Sequence, residues 1–335
     1  MLSKKELEIQ ILCEEFYKVL GGFDNVISFE KKVDAENIKS AVDMLERNYP
    51  EIFWLNGYSY SYYNHTTEVV FNTIHNYKPE TLKKMNTELY HKTKEIVRIT
   101  NKPTDYEKIL AVHDYLVSHT VYTLPKSEKG RALPHTAYGC MVEGKAVCAG
   151  YSKAFKLLMK AFKIECGICS GIARKESHAW NYVKLGGNYY WIDVTWDDPV
   201  CREKKSEFEK WIQHDYFLLN DDMIFRTRKL NKTGDFVPSC YSVKDNYFVR
   251  NKLFFKDYKF AEIDKLLSAR VKEGRIEMMF ESKRDLQNAV RDLFENNHFW
   301  NAKIFEAKNG RKGGSVSYQS NDDLYTLRII FKINP

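Results

Sequence analysis

Two stretches of the chain arrange apolar and polar residues in the same order. Near the N-terminus, NVISFEKKVDAENIKSAVDMLERNYPEIFWL reads as a strand, a helix and a second strand. The helix carries Ile38, Val42 and Leu45 at helical spacing and ends before Pro50. Near the C-terminus, RIEMMFESKRDLQNAVRDLFENNHFWNAKIF repeats that order, with Leu286, Val290 and Leu293 as its stripe. Each is followed by two alternating stretches joined by a polar turn: GYSYSYYNHTTEVVFNTI in the first, KIFEAKNGRKGGSVSYQSNDDLYTLRIIFKI in the second. KNGRKGGS in the latter reads as a basic hairpin turn. These patterns predict two small βαββ modules, over residues 1–100 and 246–335, related by duplication or alike by coincidence.

Between them, residues 101–245 follow a different plan. DYEKILAVHDYLVSHTVY sets Ile109, Val112, Leu116 and Val117 on one helical face. A polar loop, TLPKSEKGRALPHTAYG, leads into EGKAVCAGYSKAF, and Tyr151, Ala154, Phe155, Leu158 and Phe162 then form the stripe of a buried helix. Short aromatic and β-branched segments after it predict a sheet. From Cys201 to about Lys244 periodic cues fade, and the reading is mostly loops and short helices.

Composition narrows the function classes. The 335 residues are 44% hydrophobic, 29% charged and 14% aromatic, with 22 Tyr and 20 Phe, which predicts substantial cores. The net charge of +7 is spread over 52 basic and 45 acidic residues, a solvated surface rather than a nucleic-acid footprint. No apolar run approaches the roughly 20 residues of a membrane span. The opening MLSKKELEIQILCEEFYKVL alternates charge with apolar residues and lacks a signal-peptide core, which decides little because export with a leader removed leaves the same start; the reduced thiols expected below favour a cytoplasmic setting. Seven cysteines in so long a chain give no disulfide framework and predict reduced thiols.

Cys148 sits between small residues where a loop becomes a helix, and alone it reads as a buried structural thiol ahead of a nucleophile or a ligand. The start of a helix favours thiolate over thiol and offers unpaired N–H groups to an oxyanion. The sequence SHAWNYVKLGGNYYWIDVTWDDP adds to this picture. Gly186-Gly187 suits a two-residue hairpin turn, which makes Leu185 face Asn188 and His178 face Thr195. Asp193 then lies on the face of His178 as its diagonal neighbour; a three-residue loop would put the two on opposite faces. A cysteine at a helix start with a carboxylate-held histidine is a nucleophilic set. Cys148 attacks an acyl carbon, His178 moves the proton, and Asp193 holds the imidazole and stabilises its cation.

From Thr104 to Pro199 the chain resembles the transglutaminase-like superfamily, a branch of papain-like thiol enzymes. GKAVCAGYSKAF is similar to that family's nucleophile helix, SHAWNYV to its histidine strand and YYWIDVTWDDP to its aspartate strand. The resemblance implies that Cys148, His178 and Asp193 occupy the catalytic positions. It implies an α+β fold, with a helix packed on an antiparallel sheet in the core and the two βαββ modules at its flanks. The modules resemble accessory regions of bacterial members, which would bind a protein or cell-wall partner.

Trp180 shares the face of His178, and Trp196 closes the second strand; either walls the cleft or simply packs. Tyr138 and His135, in the loop before Cys148, are candidate donors to the oxyanion. Cys166 and Cys169 have a redox or zinc spacing but lack a second pair and lie in a strand-like stretch, so no metal and no cofactor is expected. No phosphate-binding glycine loop and no calcium loop is present. The expectation is hydrolysis of a peptide or protein amide through a thioester, with transamidation as the alternative acceptor chemistry. A non-catalytic scaffold is the alternative of another class. Specificity is expected from loops 123–139 and 197–245.

Overall fold

The computed structural model describes residues 3–124, 133–198, 211–231, 237–270, 273–296 and 314–333. Helix α1 (Lys4–Gly21) opens on a capping box in which Ser3 and Glu6 satisfy each other's backbone N–H groups. Strand β1 (Val26–Phe29), helix α2 (Ala35–Asn48) and strands β2 (Leu55–Tyr63) and β3 (Thr66–Thr73) follow. Asp34 caps α2 through the amides of Glu36 and Asn37. The three strands pair antiparallel in the order β1-β3-β2. Residues 51–54, expected as a separate strand, form turns with Ile52, Phe53 and Trp54 buried. The chain thus passes from α2 through these turns directly into the β2–β3 hairpin.

Helix α3 (Pro79–Thr100) leads to α4 (Asp105–His119), which starts on a Thr104–Glu107 capping box and buries Ile109, Val112, Leu116 and Val117. Short β4 (Val121–Tyr122) pairs parallel with β5 (Lys145–Ala146), on either side of α5 (Ala137–Met141). Helix α6 (Cys148–Ala161) buries Tyr151, Ala154, Phe155 and Leu158, the stripe read from the sequence. It lies on a sheet of β6 (Cys166–Ala173), β7 (Glu176–Leu185) and β8 (Asn188–Ile192), which is followed by the short helices α7 (Val194–Asp197) and α8 (Asp221–Ile224). Strand β9 (Arg228–Leu230) adds to the far edge, giving the order β8-β7-β6-β9, antiparallel throughout. This is the α+β core expected, helix against antiparallel sheet. Within the stretch read mostly as loops and short helices, the described residues are α8 and loops, with the three-residue β9 as the one element that reading did not name. Of the loops expected to set specificity, residues 125–132, 199–210 and 232–236 lie outside the described residues.

The C-terminal part runs α9 (Tyr247–Arg250), β10 (Phe254–Phe255), α10 (Phe260–Arg270), β11 (Arg275–Phe280), α11 (Lys283–Val290), β12 (Gly314–Asn321) and β13 (Thr326–Ile333). Its sheet is ordered β10-β11-β13-β12. The chain reverses between β12 and β13 at residues 322–325. The stretch NHFWNAKIF, expected to hold the second strand of this module, and most of the expected turn KNGRKGGS lie outside the described residues. One hydrophobic core extends from Leu12 to Leu218 through the N-terminal unit and α6, and a second fills the C-terminal unit around Ile263, Met278 and Ile329. Among the described residues no helix is long and apolar enough to cross a membrane.

Candidate active site

Cys148 is the first residue of α6 and is half-buried. The turn before it packs tightly: Val147 N–H donates to the Pro134 carbonyl at 2.9 Å. A Cβ on Gly150 would come within 2.4 Å of that same oxygen, so only glycine lets the helix start approach so closely. Among the described residues no side chain caps the helix, which leaves its first amides facing outward from the Cys148 end. Asn181 on β7 fixes α6 to the sheet, donating to the carbonyls of Ser152 and Gly167 at 3.1 Å each. Burial pushes the thiols of Cys13, Cys140 and Cys166 up to about 11, 12 and 12, so these remain protonated.

The hairpin has the expected turn. Gly186 and Gly187 both take positive φ, 56° and 83°, and Leu185 pairs with Asn188. Pairing stops at Asn181 and Ile192, however, so His178 does not face Thr195 across the sheet. Asp193 lies just past the strand as the N-cap of α7, and Oδ1 accepts from the Trp196 amide at 3.3 Å. That leaves Oδ2 for His178 Nε2, 2.8 Å away. Trp196 therefore belongs to a helical turn and does not close a strand.

Arg228, the first residue of β9, was not among the residues expected at the site. Its guanidinium is fully buried and directs both Nε (3.1 Å) and Nη2 (2.5 Å) at Asp193 Oδ2. Its flat face lies over Tyr216 and Trp196, with the ring centroids 4.2 and 4.9 Å away. Burial alone would push Asp193 up, but the charges of His178 and Arg228 outweigh it and hold the carboxyl at about 2. For His178 burial disfavours the imidazolium, yet Asp193's charge and hydrogen bond, joined by a hydrogen bond to Cys148, raise it to about 9. The chain thus bonds His178 to Asp193 and sets Cys148 beside the same imidazole, which is able to stay charged at neutral pH.

The other expected residues are placed differently. Trp180 is fully buried, its ring parallel to His178 at 6.0 Å and among the core side chains with Trp191. It backs the imidazole rather than walling an open cleft. Trp196 meets His178 edge-on at 6.0 Å and is partly exposed. Tyr138 stacks on Phe53 and donates its hydroxyl hydrogen to Glu88 at 2.6 Å, which commits it away from an oxyanion. His135 is exposed and, with Ala149 and Lys153, lines a cavity of about 460 Å³ that the N-terminal unit closes through Glu46, Asn56 and His75. A larger cleft of about 990 Å³ runs between Arg174, Arg226 and Arg228 of the core and Asn321, Asp322 and Asp323 of the C-terminal unit. Cys166 and Cys169 lie on β6 as read, and Cys166 is held by Asn181 at 3.8 Å.

The family described as the transglutaminase-like superfamily matches residues 92–196. Kyphoscoliosis peptidase of Homo sapiens is 22% identical over 127 residues, and that of Mus musculus 21% over the same length. Each alignment covers 34% of this chain and 19% of the relative, so the chain spans about a fifth of the length of these curated relatives. A solved structure described as a TGase is 15% identical, covering 54% of this chain and 53% of that one, with a TM-score of 0.29. The similarity to the transglutaminase-like superfamily thus falls on the central region that holds Cys148, His178 and Asp193.

Proposed function

We propose that the protein is a cysteine-dependent acyl-transfer enzyme acting on peptide or protein amides, with water as the usual acceptor. The observation that carries this reading is the 2.8 Å bond of His178 to Asp193, on an imidazole that the neighbouring Cys148 also helps to raise. The Cys148 thiolate adds to the amide carbonyl, and the oxyanion is met by the amides at the start of α6. The tetrahedral adduct expels the amine, which takes its proton from the His178 imidazolium, leaving a thioester on Cys148. Neutral His178 then deprotonates a water that attacks the thioester, and Cys148 leaves as thiolate with the imidazolium restored. Asp193 keeps the ring oriented throughout. The relatives' description as peptidases supports water over an amine as acceptor.

The test follows the thioester. The protein is mixed with glutamine-containing peptides and a labelled primary amine, and peptide cleavage, ammonia release and label incorporation are measured separately. Cleavage or ammonia in excess of label is expected, and Cys148→Ala should abolish all three. Label in excess of hydrolysis would make transamidation the main reaction. Turnover undiminished in Cys148→Ala would remove the mechanism altogether. The scaffold reading requires a Cys148 that iodoacetamide modifies no faster in the native protein than in His178→Ala.

A further inference from the structure

A second cluster of histidines and carboxylates lies beneath α7, apart from Cys148. His113 on α4 is fully buried; its Nδ1 is 2.9 Å from Asp114 Oδ1 and its Nε2 is 3.1 Å from Asp197 Oδ2. His214 reaches the same Asp114 oxygen through Nε2 at 3.1 Å and Glu277 Oε1 through Nδ1 at 3.1 Å. One ligand atom from each of His113, Asp114 and His214 lies within 4.8 Å of the other two.

We propose that His113, Asp114 and His214 are the inner ligands of a structural divalent-metal site, of the kind zinc occupies, that braces the core against the C-terminal unit. Three features of the cluster point to a cation. Each histidine turns its second ring nitrogen to a carboxylate, Asp197 or Glu277, the arrangement that fixes the tautomer of a metal-bound imidazole. With those N–H groups donating outward, a neutral ring on each side aims a lone pair at an Asp114 oxygen that has no proton to give. Only a cation, or an extra proton on each ring, makes that meeting favourable. Charge is in deficit as well: Asp215 and Glu277 pair with the buried guanidinium of Arg328, and Asp114 and Asp197 with the two histidines. With neutral histidines three negative charges stay uncompensated there; a divalent ion, like a second proton on each ring, leaves one.

Two of the three donor separations are close to those of a metal site, and the third, between the imidazole nitrogens, is within 4.8 Å. Ligand bonds of about 2.0–2.2 Å set tetrahedral donors roughly 3.3 Å apart, and the Asp114 contacts are only a few tenths of an ångström shorter. Asp114 is the member with room to move, its side chain 35% exposed. The same exposure gives the ion a way in and a water as its remaining ligand. Imidazole and carboxylate without thiolate suit zinc and its neighbours in the first transition row. Holding residues from α4, the 211–219 segment and, through Glu277, β11, the ion would tie three parts of the chain together.

The experiment uses the full chain with Cys148→Ser, so that the reactive thiol does not compete. After chelator treatment it is dialysed against micromolar Zn²⁺, and metal is counted by atomic absorption, with far-UV circular dichroism as the check on folding. A single zinc per chain is expected, with a higher Tm in zinc, and both should be lost in His214→Ala and in Asp114→Asn. The partly exposed Asp114 keeps the test readable if His214→Ala fails to fold. Co²⁺ in the site should give a visible spectrum without a thiolate charge-transfer band. No zinc above the stripped level would overturn the proposal. So would zinc retained in Asp114→Asn but lost in a Cys166→Ser, Cys169→Ser double variant.

Discussion

At the scale of single residues, the site depends on one carboxylate oxygen, since Asp193 Oδ2 receives both His178 and Arg228. His178 is raised above its ordinary value, so the imidazolium is fully formed below about pH 6.5 and lost as pH rises through about 9. Any stability that its pairing contributes follows the same window. Turnover should therefore fall on the alkaline side near pH 9. Asp193→Asn should move that limb towards pH 6.5 and lower kcat by on the order of 10²–10⁴, as loss of a histidine's orienting carboxylate does elsewhere; an unmoved limb would count against Asp193. Arg228→Met should leave the buried Asp193 under-compensated, at a cost of about 3–5 kcal/mol in urea unfolding. Arg228→Lys should recover part of that stability but not the two-pronged contact.

At the scale of elements, α6 is held by close approach as much as by its apolar stripe. Gly150→Ala would drive a methyl group into the Pro134 carbonyl, and overpacking of this kind costs about 1–3 kcal/mol. Thermal unfolding should show the lower Tm, and kcat should fall as Cys148 shifts with its turn. The hairpin of β7 and β8 was readable because two glycines fix the turn and every later pairing follows from it. Its end was not, since nothing local in IDVTWDD announces that Asp193 leaves the strand to cap a helix. Strand β9 is only three residues, RKL, and is held by pairing with Gly171 to Ala173, far away in sequence. No period can reveal so short a strand, and Arg228 was hidden with it. His214 and Asp114 are 100 positions apart, and only the fold brings them together.

At the scale of the whole molecule, the N- and C-terminal units share more than the order of elements read from the sequence. In each, the last strand of the βαββ set takes the middle place, β1-β3-β2 in one and β11-β13-β12 in the other. That central strand brings Arg328 to the buried Asp215 and Glu277, and Asp215 lies next to Tyr216, whose amide donates to Asp197. Arg328→Met should therefore cost on the order of 3–5 kcal/mol, measured as a lower urea midpoint, with loss of activity in step with unfolding. If the core kept its activity while only the C-terminal unit melted, the two would be energetically independent. The strand order also bears on synthesis. Arg328 enters about 135 residues after Asp193, which at roughly 5–20 residues per second is roughly 7–27 s later. Asp215 and Glu277 are therefore made before the guanidinium that pairs with them in the folded protein, and until the middle strand of the second unit is in place the C-terminal unit lacks that tie to the core.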